Sequence, residues 1–431
     1  LKTVVWHELS ESEKEQVLTR PALTSKLDIH GIVTDIVTRI KAEKDKALLE
    51  FTAKLDHVED GKLKLTEQDI ADACGRVPEE LKKALQHAYR NISEFHRAQI
   101  PGSVQVVTEP GVTCEMHYHA IDNIGLYVPG GSAPLVSTVL MLGVPAQIAG
   151  CKKVILCSPP KIADEIVYAA TLCGIKDIFN IGGAQAIAAM AYGTETVPKV
   201  DKVFGPGNAF VTEAKRQVST DYKGASIDMP AGPSEVMVMA DSTSDPEFVA
   251  SDLLSQAEHG PDSQVMLITE SRELAEAINR EVDRQVAELP RRKIAESSLS
   301  HSRIIIAGTP DEACAIACRY APEHLIMQMR DARSYLPKIR NCGSIFIGYY
   351  TPESAGDYAS GTNHTLPTYG YAKTYSSLGL TDFMRHYTVQ ELSRDGVEAL
   401  KDTIVQMTNA EGLMAHQRAI LTRARKIEQG K

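Results

Sequence analysis

The segment KKVILCSPPKIADEIVYAATLCGIKDIFNIGGAQAIAAMAYG, residues 152–193, decides the fold. Short runs rich in Val, Ile and Phe, at 152–157 and 177–180, alternate with helical patterns at 163–174 and 184–193. Such alternation means βαβ units around a parallel sheet. KVDKVFG (199–205) followed by NAFVTEAKRQVS (208–219) adds another unit. Beyond the Gly- and Pro-containing joint DMPAGPSE (228–235) a second series begins, with apolar runs SQVMLITE (263–270), SRIIIAG (302–308), LIMQM (325–329) and SIFIG (344–348) between helical stretches. The pattern predicts an α/β protein with two incomplete Rossmann-like parallel-sheet domains, at 115–235 and 236–374. An N-terminal helical region (1–114) and a C-terminal helical tail (375–431) flank them. No close repeat relates the two halves.

The flanks carry the 3.6-residue period. In PEELKKALQHAYRNISEFHRAQI (78–100), Leu81, Ala84, Leu85, Ala88, Ile92 and Phe95 share a face, and Thr66 with Asp69 reads as an N-cap pair. TVQELSRDGVEALKDTIVQM (388–407) and AEGLMAHQRAILTRARKIEQ (410–429) read as helices of the tail.

With 431 residues the chain exceeds a single compact core. The formal net charge of −10 disfavours a nucleic-acid partner, because carboxylates repel phosphates and no long basic block offsets them. No apolar run reaches the roughly 18 residues of a membrane span. LKTVVWHELSESEKE lacks the apolar core of a secretory leader, and eight scattered cysteines without C-x-x-C fit free thiols, so a cytoplasmic location is expected.

Ligands of open α/β sheets bind beyond the carboxyl ends of the strands, which directs attention to the loops there. LYVPGGSAP (126–134), IGGAQA (181–186) and FGPGNAF (204–210) are such loops, and free N–H groups at the helices they open can accept phosphate. Phe210 stands where G-x-G-x-x-G requires glycine, so the dinucleotide fingerprint is absent. Each loop taken singly also reads as a plain turn. In APEHL (321–325), Glu323 and His324 adjoin at a helix-to-strand turn where both can face one cavity and act as two bases. In SQAEHGPDSQ (255–264), Gln256 and His259 sit three apart at a helix end, a spacing that suits a metal or an exposed polar helix end. Together with Asp357, in a loop flanked by Gly356 and Gly361, and His416 they offer two nitrogens and two oxygens, a set suited to zinc. Glu411 and His416, five apart, cannot both point straight at one ion if one helix carries them. His416 can reach its own subunit or a neighbour.

SQAEHGPDSQ, GPGNAFVTEAKRQ, DMPAGPSE, APEHL and ESAGDYASGTNH together resemble the histidinol dehydrogenase family, most closely its enterobacterial type, over essentially the whole chain. The resemblance implies an NAD-dependent, four-electron oxidation of L-histidinol through L-histidinaldehyde to L-histidine, consuming two NAD per turnover. It implies a homodimer with shared active sites and one zinc ion per subunit. Residue by residue it assigns Gln256, His259, Asp357 and His416 as zinc ligands, with His416 from the partner subunit. Glu323 and His324 match the acid–base pair. Ser234, His324 and Glu411, with the zinc ligands, match substrate contacts; Tyr127, Gln185 and Asn208 match NAD contacts. Two other chemistries compete on the residues alone. One is a thiohemiacetal route on Cys114 or Cys151, and the other is a zinc hydrolase with Glu323 activating water.

Overall fold

A computed structural model describes residues 1–21, 28–58, 61–130, 134–230 and 232–430. The alternation seen in the sequence becomes two parallel sheets. The first has five strands in the order Asp177–Asn180, Lys153–Ser158, Asn123–Tyr127, Lys202–Phe204, Ser226–Ile227. Six strands form the second, in the order Lys2–Val5, Arg303–Ile306, Gln264–Thr269, Glu235–Ala240, His324–Gln328, Ser344–Ile347. From Asn123–Tyr127 in the first sheet and Glu235–Ala240 in the second the chain winds outward on both sides, so each sheet has a switch point beside that strand, while Lys2–Val5 joins the second at its edge.

Burial explains why the sequence periods look as they do. The Gly183–Tyr192 helix is apolar all round because every residue from Ala184 to Ala191 is buried, between its own sheet and the Ile29–Glu43 helix. By contrast the Glu79–Arg97 helix buries only the stripe Leu85, Ala88, Ile92, Ser93 and His96. Thr66 and Asp69 form a reciprocal capping box on the Glu67–Arg76 helix, as their spacing predicts.

The ends of the chain depart from the helical expectation. Lys2–Val5 is a strand that pairs in parallel with Arg303–Ile306, closing one edge of the second sheet. Val104–Glu109, Val112–Ala120 and Met384–Leu392 form a separate antiparallel sheet, so TVQEL (388–392), read as helix, is strand. Tyr387, Thr388 and Val389 favour a strand, and continuous antiparallel pairing with Val112–Ala120 overrides the helical reading. The tail then becomes two helices, Arg394–Glu411 and Met414–Glu428, separated by Gly412 at φ 72°. Glu411 and His416 therefore stand on different helices, and the single-helix angle between them does not apply.

A buried ion pair fixes one loop that matters below. Lys215 donates to the Gly205 carbonyl (2.9 Å) and pairs with Asp228, whose other oxygen accepts from Gly205 N–H at 2.8 Å. Gly205 sits at φ 119°, and a Cβ there would lie 2.0 Å from the Tyr127 carbonyl oxygen, so only glycine fits. Lys215→Met strands the Asp228 carboxylate in a dry site, and urea unfolding is expected to lose about 3 kcal/mol. An unchanged urea midpoint would show that the loop holds without the pair.

Candidate active site

A cavity of about 150 Å³ lies between the two sheets. On one side it meets Gly205 and Pro206, beyond the carboxyl end of the Lys202–Phe204 strand, as the general rule for open sheets predicts. On the other side it meets the amino ends of the second sheet, which that rule does not predict. Glu235 and His324 are the first residues of their strands, and Ser234, Gln256, His259, Glu323, His324 and Asp357 all line the cavity. Six residues spread over more than a hundred positions thus converge.

Local structure explains how each arrives. Gln256 ends the Pro246–Ala257 helix, and His259 follows it in the turn leading to Gln264–Thr269. The Pro310–Tyr320 helix stops at Ala321, in the left-handed region at φ 56°, which swings Pro322 and Glu323 back so that His324 opens the next strand. Asp357 is helical, within Glu353–Tyr358, rather than in a loop. Gly356 is required there for packing: a Cβ would stand 2.7 Å from the Phe346 ring.

The peptide of Glu235 organises these groups. Its N–H donates to Glu323 Oε2 at 2.8 Å, and its carbonyl accepts from His324 Nδ1 at 3.0 Å. Turned so that its nitrogen meets Glu353, the Gln256 amide accepts from the same Glu235 N–H at 2.9 Å. With Nδ1 committed, His324 presents Nε2, which is buried, lacks a hydrogen-bond partner and lies 3.5 Å from Asp357 Oδ1. One oxygen of Glu353 is likewise buried and unpartnered.

Electrostatics mark this as a site of chemistry. Burial pushes the Glu323 carboxyl up to about 8 and raises Glu353 well above the usual carboxylate range. Burial also opposes a charge on His324, yet Glu353, Glu323 and Asp357 together outweigh it and raise its pKa well above the ordinary value. Burial raises Asp357 as well, but the close approach of His324 and the charge of the nearby imidazoles win and lower it. His259 and His364 are held low by lost hydration, which favours neutral imidazoles with a free lone pair. Ligand atoms of His259, Glu353 and Asp357 all lie within 4.8 Å of one another. Nitrogen and oxygen donors, excess negative charge and unpartnered buried atoms together fit a divalent cation such as zinc.

Other expected site residues lie elsewhere. Glu411 and His416 are exposed on the C-terminal helices and do not line the cavity of their own chain. Tyr127, Gln185 and Asn208 gather at the carboxyl edge of the first sheet. Tyr127 Oη accepts from Gly183 N–H (3.0 Å), Gln185 donates to Asp56 (3.0 Å), and Asn208 caps the Ala209–Thr220 helix. Two N–H groups expected to be free for phosphate, those of Phe210 and Val211, are bonded to Asn208 Oδ1 at 3.1 Å each. Residues 131–133 of the loop at 126–134 and residue 231 of the joint fall outside the described residues. No cysteine among the described residues lines the cavity, and burial pushes the Cys151 thiol up to about 12, away from nucleophilic chemistry. Cys114 sits in the antiparallel sheet. Glu353 and His364, the first and last residues of ESAGDYASGTNH, carry no signal of a role in their spacing; the burial of Glu353 and the place of His364 on the cavity wall are what distinguish them.

The family model for histidinol dehydrogenase matches residues 18–424. The chain belongs to the histidinol dehydrogenase family. Among curated histidinol dehydrogenases, that of Vibrio vulnificus strain CMCP6 is 57% identical over 427 residues, covering 99% of each chain. The Shigella sonnei strain Ss046 relative is 55% identical over 424 residues and 98% of each. A crystal structure of histidinol dehydrogenase from Elizabethkingia anophelis superposes with a TM-score of 0.96 at 45% identity, covering 99% of both chains. Like the rest of the histidinol dehydrogenase family, the protein is an oxidoreductase of histidine biosynthesis, and no described helix is long and apolar enough to cross a membrane.

Asp252 tests the electrostatics without touching the cavity. It is buried beside Gln328, and burial pushes its carboxyl up to about 7. A raised folded pKa means the folded state holds the proton longer, so this stabilisation is present below about pH 4 and is lost as pH rises through about 7. Asp252→Asn is expected to melt higher than the parent at pH 8, with the gap narrowing as pH falls below about 7 and closing by about pH 4. A gap that is the same at both pH values would refute the assignment.

Proposed function

We propose that this chain oxidises L-histidinol to L-histidine through L-histidinaldehyde in two NAD-dependent steps, in a zinc-containing cytoplasmic homodimer. The convergence of Ser234, Gln256, His259, Glu323, His324 and Asp357 on one cavity carries the proposal. Gln256, His259 and Asp357 would hold the zinc with His416 of the second subunit. Gln256 keeps a lone pair for this role, since its carbonyl oxygen accepts only one bond. Bound there, zinc supplies a fixed positive charge that orients and polarises the amino alcohol. NAD, held near Tyr127, Gln185 and Asn208, supplies the hydride acceptor.

His324 takes the hydroxyl proton of histidinol at Nε2, because Nδ1 is fixed on the Glu235 carbonyl; a cation held at Asp357 would offset the carboxylates that raise its pKa and leave Nε2 unprotonated to act as base. The aldehyde then needs water, since hydride leaves only from a tetrahedral carbon. Glu323, with its raised pKa, is a carboxylate basic enough to take that water's proton, and His324 acts again as base on the hydrate. Ser234 and the second subunit's copy of Glu411 would hold the polar ends of the substrate.

Two NADH per histidinol, abolished by a chelator, is the expected stoichiometry. Glu323→Gln should release aldehyde after one NADH, with the second step slowed at least about 100-fold; unaltered two-to-one turnover would reject its role. A one-to-one ratio in the parent would instead mark a simple alcohol dehydrogenase. Shared sites predict complementation: mixing inactive His416→Asn and His324→Asn chains restores activity, because one site in each mixed dimer is intact. No recovery in verified mixed dimers would place residue 416 outside the site.

A further inference from the structure

Arg20 is far from the cavity lining in sequence and absent from every role assigned above. Its guanidinium nevertheless ties the Glu235 strand to the helix end that turns into the His324 strand. Nε and Nη2 bind the Glu235 carboxylate side-on, at 2.5 and 2.9 Å, and Nη2 also donates to the carbonyls of Tyr320 (2.8 Å) and Ala321 (3.3 Å). The plane lies over the Tyr320 ring, 4.0 Å from its centroid. Glu235 completes its bonding with Tyr369 N–H at 2.7 Å. Both partners are shielded from water, the arginine 14% and the glutamate 2% exposed.

We propose that Arg20 is a positioning residue for the oxidation, fixing the Glu235 peptide relative to the Glu323–His324 turn. The inference rests on the proposed roles of Glu323 and His324. Those two side chains take their geometry from the Glu235 peptide, which binds one through N–H and the other through C=O. Arg20 ties the side chain of that same residue to the two carbonyls just before Pro322, Glu323 and His324. The planar fork does this as one rigid unit; a lysine ammonium would reach Glu235 but not span all the acceptors. Neither Arg20 nor Glu235 lines the cavity. Loss of Arg20 therefore acts on turnover rather than on substrate affinity, because a misplacement near 1 Å of catalytic groups is enough to slow chemistry about 100-fold.

Two variants of the full dimeric enzyme test this. Arg20→Lys keeps a cation against Glu235 and so keeps the fold; its kcat should fall about tenfold, with KM for histidinol and NAD within about threefold of the parent. Arg20→Met combined with Glu235→Gln removes both charges, avoiding a stranded carboxylate, and should lose about 100-fold in kcat. In both, zinc per subunit measured by metal analysis should equal the parent's. Parental kcat in Arg20→Lys, a loss expressed mainly in KM, or zinc lost in step with activity would each overturn the proposal. A double variant that does not fold would mark Arg20 as a fold residue and overturn it too. If instead Glu323→Gln and His324→Asn turn over normally, the acid–base reading fails whatever Arg20 does.

Discussion

A single peptide group, that of Glu235, governs the geometry of the site. Placing a carboxylic acid, an imidazole and an amide in one dry space normally leaves each free to rotate, and each burial costs free energy unless a partner is found. Here one N–H and one C=O at the start of a central strand provide partners for all three. Backbone atoms inside a parallel sheet move little, so the side chains inherit that rigidity. The same bond commits Nδ1 and leaves Nε2 as the ring nitrogen without a partner.

The two sheets divide the work by presenting opposite edges. The first offers the carboxyl ends of its strands, with a glycine-bearing loop locked by Lys215 and Asp228. Amino ends come from the second, where turns return from helices and can crowd acids and imidazoles together. A cleft between such edges is closed on both sides by stiff elements. Three carboxylates crowd around one histidine there, a charge pattern that suits the site to a cation.

Much of this was legible in the sequence. The period of residues 152–193 specified parallel strands and covering helices because both are buried on nearly every face. The motifs around residues 256, 323 and 357 identified most of the lining, since glycine and proline punctuation marks the turns that deliver them. What escaped was non-local. Nothing in KTVV announces a strand whose partner lies three hundred residues away, and Met384–Leu392 reads as helix until its antiparallel partner is known. The amino-edge location was likewise hidden, because strand order and direction, not composition, decide which end of a sheet faces a cleft. Nothing in the sequence singles out Glu353; its burial beside Gln256 is a tertiary fact.

The pairing of Lys2–Val5 with Arg303–Ile306 has a temporal side. A ribosome delivers the beginning of the chain long before the segments that receive it, so the first strand must wait, unpaired, while the interior of the protein is made. Loop closure over such a span slows assembly. Synthesis thus brings the first sheet to completion while its neighbour is still lacking strands, and that edge of the second sheet closes only once Arg303–Ile306 has emerged and Lys2–Val5 docks on it.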